Sequence, residues 1–163
     1  MPPVLYDVHV VSTDADGYFG LVYTNAAGES KVLVNKVGAY EGSTTIAKGT
    51  NATSLQILAT GHWQIVMTPV LQFTTMTQSG AGNFVSGRFK GDDGTHDVYC
   101  ANWTEKVNYI VWLYDLNDDT RLLLVNGAGI YGKKRKNVYL NESHSYYLSV
   151  QSEGNWLVEF SQE

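Results

Sequence analysis

Asn108-Tyr-Ile-Val-Trp-Leu-Tyr-Asp115, followed by Leu122-Leu-Leu-Val-Asn126, Gly129-Ile-Tyr131, Leu148-Ser-Val150 and Gly154-Asn-Trp156, decides the fold. Each block is short, rich in aromatic, aliphatic and β-branched residues, and bounded by Asn, Asp or Gly. That is the composition of strands separated by tight turns. The blocks also occur earlier, in the same order. Tyr18-Phe-Gly-Leu-Val-Tyr23, Leu33-Val-Asn35 and Gly38-Ala-Tyr40 each precede a counterpart by 91 residues, so that Tyr18 aligns with Tyr109 and Leu21 with Trp112. With small gaps Gly42 aligns with Gly132, and Asp7-Val8 with Asp97-Val98. Leu55-x-Ile57-x-x-x-Gly61-x-Trp63 aligns with Leu148-x-Val150-x-x-x-Gly154-x-Trp156. Matching blocks in one order indicate an internal duplication.

Within each copy the apolar residues alternate with period two. Leu55, Ile57 and Ala59, then Trp63, Ile65 and Met67, fall on one face in the first copy. Leu148 and Val150, then Trp156, Val158 and Phe160, do so in the second. Such alternation belongs to strands with one face in a core. Thr60-Gly61-His62 and Glu153-Gly154-Asn155 read as hairpin turns, and no ten-residue stretch carries helical apolar spacing with caps. The fold class expected is all-β: two tandem, internally duplicated antiparallel β-sandwich-like repeats, over 1–76 and 77–163. Trp63 and Trp156 are expected in the core at equivalent positions, with Leu55, Ile57, Leu148 and Val150 on the same core faces. Phe84-Val-Ser-Gly-Arg-Phe89, after Gly80-Ala-Gly82, reads as a leading strand of the second copy with no counterpart in the first.

Composition narrows the function classes. The chain has 163 residues, 44% of them hydrophobic and 17% charged, enough apolar content for a core. A net charge of −5 argues against general nucleic-acid binding. One cysteine, Cys100, rules out an internal disulfide and thiolate-rich zinc sites. No apolar run is long enough for a helical membrane span, and Met1-Pro-Pro-Val-Leu-Tyr-Asp-Val-His has no basic lead or long apolar core, so no signal peptide is expected on the chain as given.

The Gly80-x-Gly82 lead, Asn108–Asp115, Leu123-Leu-Val-Asn126, Gly129-x-Tyr131 and Gly154-Asn-Trp156 together resemble a tandem β-repeat domain of uncharacterised actinobacterial and phage proteins. The resemblance covers 79–160 well and 6–68 less well. The first copy lacks the Gly-x-Gly lead and has Leu21 where the motif has the Trp of Trp112. The resemblance implies the repeat and the β fold, and brings no activity with it.

Signals of chemistry are sparse. His9, His62, His96 and His144 stand in no metal-binding or catalytic spacing, and no Gly-x-Ser-x-Gly elbow is present. Asp14-Ala-Asp16-Gly17 and Asp115-Leu-Asn-Asp-Asp119 resemble the start of oxygen-rich calcium loops, but Asp, Asn and Gly serve hairpin turns equally well. No catalytic residue, cofactor or metal is therefore assigned. Two binding candidates remain. Lys133, Lys134, Arg135 and Lys136 concentrate positive charge in a segment read as a loop, suited to an anionic surface. Trp103, in the polar turn Asn102-Trp-Thr-Glu-Lys106 near Tyr99 and Tyr109, offers a flat face on which a sugar would stack. The expectation is a non-catalytic structural or binding protein of a virion or extracellular surface, a phage capsid decoration or tail-associated protein being the leading form. A carbohydrate-binding β-sandwich module is the alternative. The partners expected are further copies of the chain or capsid or tail proteins, with a glycan or an anionic surface as the second class.

Overall fold

The computed structural model describes residues 4–25, 27–48, 52–70 and 75–162, the side chains of residues 4, 5, 47, 48, 52, 53, 133–136 and 162 excepted. These residues form strands and no helix, so the all-β expectation holds. By compactness the chain divides between Val70 and Leu71.

The first unit has six strands: β1 (Val4–Ser12), β2 (Tyr18–Asn25), β3 (Ser30–Val37), β4 (Tyr40–Lys48), β5 (Ala52–Ala59) and β6 (Trp63–Pro69). They make two three-stranded antiparallel sheets, ordered β4-β1-β6 and β3-β2-β5. The second unit has β7 (Gln78–Ala81), β8 (Phe84–Val85), β9 (Phe89–Lys90), β10 (Gly94–Asn102), β11 (Asn108–Asp115), β12 (Thr120–Ala128), β13 (Tyr131–Leu140), β14 (Ser145–Ser152) and β15 (Asn155–Gln162). Its sheets run β13-β10-β15-β7 and β12-β11-β14, with β8 and β9 both on the free side of β14. Reading β10–β15 for β1–β6 turns one topology into the other, and the duplication is visible strand by strand.

The register corrects one alignment. Leu21 faces Val34 and Ile57, whereas Val111 faces Val125 and Val150. Leu21 therefore corresponds to Val111, and Trp112 to Val22. The matching tyrosines are one place out of step: Tyr18 is 38% exposed and Tyr109 is fully buried. The cause is the hairpin after each strand. Thr24 pairs with Ser30 in the first unit, but Tyr114 pairs with Arg121 in the second, so the second turn is one residue longer. Sequence identity placed that residue before the strand. Because strand side chains alternate, the error exchanges the core and solvent faces.

The Gly-x-Tyr motif has a backbone origin. Gly38 and Gly129 both take left-handed φ, 88° and 78°, and their amides donate to Gly17 O and Val107 O at 2.8 and 2.9 Å. A side chain there would be strained.

The leading segment of the second copy differs from the single strand read over 84–89. β7 pairs with β15 at the edge of one sheet, and β8 and β9 pair with β14 at the edge of the other. Between β8 and β9 the ladder is maintained by Ser86. Its amide donates to Leu148 O at 2.9 Å, and its hydroxyl accepts the Leu148 amide at 2.8 Å. Residues 78–90 thus cross from one sheet to the other and clip that side of the sandwich shut. Trp156 lies under the clip, 1% exposed, with its indole N–H donating to Gly82 O at 2.9 Å and its ring 5.2 Å from Phe84.

The core expectation for tryptophan holds on one side only. Trp63 occupies the position equivalent to Trp156, opposite Ser12 as Trp156 is opposite Asn102, yet it is 46% exposed. No described segment of the first unit does what the clip does. Leu148 and Val150 are buried, while Leu55 and Ile57 sit at the same register and are only partly buried. Among described residues the first core has six buried members and the second sixteen, with Phe89 of the clip among the sixteen and Phe84 packed against them.

Candidate functional site

The free side of β5 and β6 is the candidate surface with the strongest structural basis. Apolar burial at about 25 cal/mol per Å² makes exposed large side chains on the core-side face of an edge strand costly unless something covers them. On β6, Trp63 and Met67, on the same face as Ile65, are exposed, while Val66 on β6 and Leu58 on β5 are exposed on the opposite faces of their strands. Ile65, Leu55, Ile57 and Ala59 are partly buried against the first core. Neither strand contains a charged residue. The opposite edges do: β4 carries Glu41 and Lys48, and β3 carries Lys31 and Lys36. Charge on an edge strand discourages pairing with a foreign strand, and β5 and β6 lack that protection.

Trp103 is 55% exposed, as its polar turn suggested. The turn beneath it is firmly held. Buried Asn102 donates through Nδ2 to Gly129 O at 2.9 Å and accepts the Thr104 amide at 3.2 Å. The Trp103 amide donates to Asn155 O, and Thr104 Oγ1 accepts the Asn155 amide at 3.0 Å. Gly154 is required below, because a Cβ there would collide with Thr104. Tyr109 does not share the exposed surface. It is buried, its hydroxyl donates to Leu157 O at 3.0 Å, and burial holds its phenol pKa above the usual range.

Lys133, Lys134, Arg135 and Lys136 do not form a loop. Their backbone belongs to β13, an edge strand, with Lys134 opposite Cys100, Arg135 opposite Tyr99 and Lys136 opposite Val98. Consecutive strand positions alternate between faces, so the four do not share one face. Their side chains lie outside the described structure. A basic run on an edge strand has an ordinary role in blocking strand addition.

The Asp-rich turns also resolve into local structure. Asp14 Oδ1 accepts the Asp16 amide at 3.1 Å. Asp115 Oδ1 accepts the amides of Asn117 and Asp118 at 2.8 and 3.3 Å, and its counterpart Asn25 caps its own turn by accepting the amides of Ala27 and Glu29. Asp115 Oδ2 meets His144 Nδ1 at 2.7 Å, an ion pair across 29 residues that the sequence reading missed. Its only signal was the register that brings the β14 start beside the β11 end. Asp118 joins these two, with ligand-type atoms of all three within 4.8 Å of one another. A metal here would have to displace the hydrogen bonds that already occupy both Asp115 oxygens.

That pair gives a pH prediction. Burial opposes the shift at Asp115, but hydrogen bonds from His144 and from the two amides hold its carboxyl below the usual carboxylate value. The hydrogen bond to Asp115 raises the His144 pKa against partial desolvation. His144 therefore stabilises fully below its ordinary value of 6.5, and the contribution fades as pH rises through the raised value. The Asp115 contribution is present above 3.8 and fades as pH falls through the lowered value. Melting temperature measured against pH should decline on the alkaline side of 6.5, and His144→Gln should flatten that decline. An unchanged profile in the variant would dismiss the pair as a stabilising contact.

The remaining histidines have structural partners: His9 Nδ1 lies 3.3 Å from Ser43 Oγ, and buried His96 meets Asp92 O through Nε2 at 2.9 Å. His62 sits in an exposed turn and its carbonyl accepts the Thr13 amide at 3.2 Å. Compared with known family models and with curated proteins, the chain matches none.

Proposed function

We propose that the protein is a non-catalytic structural and binding component of a larger surface assembly, of the virion-accessory kind represented by capsid decoration and tail-associated proteins. The observation that carries this reading is the uncharged β5–β6 edge of the first unit with Trp63 and Met67 exposed, where the equivalent edge of the second unit is covered by its own segment 78–90. A strand edge of this kind binds by adding a strand: main-chain hydrogen bonds supply affinity and the exposed side chains supply selectivity. The virion setting rests on the sequence resemblance. Mass in solution, then with purified capsids or tails added, tests the reading. Stable co-sedimentation of the chain is expected. A chain that stays monomeric with every such particle would end it, provided neutralising Lys133, Lys134, Arg135 and Lys136 also changes nothing.

The carbohydrate-binding reading retains one favourable observation, the exposed Trp103 on a firmly hydrogen-bonded turn. It predicts saturable glycan binding that Trp103→Ala abolishes with the melting temperature unchanged, since the flat indole face would be the surface on which the sugar stacks. A glycan array without hits would remove it.

A further inference from the structure

The second unit shows what would fit the side of the first on which no described strand pairs with β5 or β6 beyond β2 and β1. We propose that β5 and β6 are completed in the assembly by an extended segment of a different protein chain, a Gly-x-Gly-x-aromatic strand that runs along β6 and crosses to β5. This rests on the assembly reading above and specifies its contact.

The template is residue-specific. In the second unit Gly80 lies opposite Trp156, where a Cβ would come within 3.0 Å of the indole ring, so the position facing the tryptophan must be small. Two residues on, Gly82 has φ 73° and its carbonyl accepts the indole N–H at 2.9 Å. Two further on, Phe84 covers the indole, and Phe84-Val85 pairs with Val150 and Ser149 of β14. Trp63, Ile57 and Gln56 stand at the corresponding places in the first unit. The indole N–H, the face of the indole ring and the edge amides are the features to which segment 78–90 responds.

A second copy is the weaker occupant. Its own segment 78–90 is engaged with β14 and β15, and its β6 has no Gly or Ala to set against Trp63. The absence of charge on β5 and β6 also favours an uncharged donor strand, as Gln78–Val85 is.

The probe is a synthetic peptide with the sequence Thr77–Lys90, added to the full chain. Amide hydrogen exchange is read strand by strand. At ten times its dissociation constant the peptide should slow exchange on β5 and β6 about tenfold, leaving β14 and β15 unchanged. Gly80→Val or Phe84→Ala in the peptide, or Trp63→Ala in the protein, should abolish the effect. The same peptide joined to the N-terminus through a flexible linker, at an effective concentration of order millimolar, provides a second arm. Unchanged exchange on β5 and β6 in both arms overturns the proposal, as does equal protection by a scrambled peptide. Protection that appears without peptide and grows with protein concentration assigns the side to a second copy and also overturns it. If the peptide arms fail while the chain still co-sediments with capsids or tails, the assembly reading survives and only the donor strand is wrong.

Discussion

Trp156→Ala is expected to lower the stability of the second unit by about 3–5 kcal/mol, the range for truncating a large buried aromatic. Three losses combine. The indole is 1% exposed, so its removal leaves a cavity at the end of the core. Gly82 O loses the donor that meets it at 2.9 Å. Phe84, 5.2 Å away, loses the surface it packs on, and with it goes part of the reason for the clip to close. Trp63→Ala at the equivalent place should cost the first unit only about 1 kcal/mol, because nearly half of that side chain is in water already and its ring lies 6.4 Å from that of Phe19. The measurement is denaturant-dependent hydrogen exchange, which reports each unit by its own amides. A neutral Trp156→Ala, or equal costs at the two tryptophans, would contradict the packing described here.

This contrast marks how far the sequence could be read. Period two and recurring blocks identified the strands, because alternation follows directly from the geometry of a pleated sheet half in a core. Equivalence of Trp63 and Trp156 was also legible, since both follow a hairpin Gly. Their burial was not, because it depends on residues 78–90, which lie far from Trp156 in the chain and have no partner in the first copy. The sequence did register that asymmetry, in the missing Gly-x-Gly lead, without indicating that the segment bridges two sheets. Tyr18 and Tyr109 misled for another reason. Identity of residue type aligned them, while the extra turn residue after β11 decided the true register. Trp103 was legible as exposed because polar neighbours on both sides leave a strand-end Trp no core to enter. The basic run was placed in a loop because four like charges in succession repel. An edge strand tolerates them, since alternate positions separate the charges and the edge gains protection from foreign strands.

Phe89→Ala should be nearly as damaging as Trp156→Ala, again about 3–5 kcal/mol, and it tests the clip itself. Phe89 is 1% exposed although it belongs to a strand of only two residues, β9. So short a strand cannot hold itself in place by its ladder, and its anchorage comes from the ring. That ring stacks on Tyr146 at 6.0 Å and meets Phe160 at 5.7 Å, thus joining β14 of one sheet to β15 of the other. Beside it Gly91 is buried so closely that a Cβ would come within 2.7 Å of Leu140, leaving the neighbouring backbone no room to swell into the vacated space. Removing the ring should therefore release the clip from its C-terminal end. The first amides to lose protection should be Ser86 and Leu148, which bond each other across that gap. Exposure of β14 and β15 should follow, so that the second unit comes to resemble the first along that side. Phe84→Ala, at a partly buried ring, should cost about 1–2 kcal/mol and leave the β9 end attached. If Phe89→Ala costs less than about 1 kcal/mol, the clip is held by its backbone ladder and not by its aromatic anchor. An extended segment bound to the first unit would then need matched hydrogen bonds more than a matched side chain.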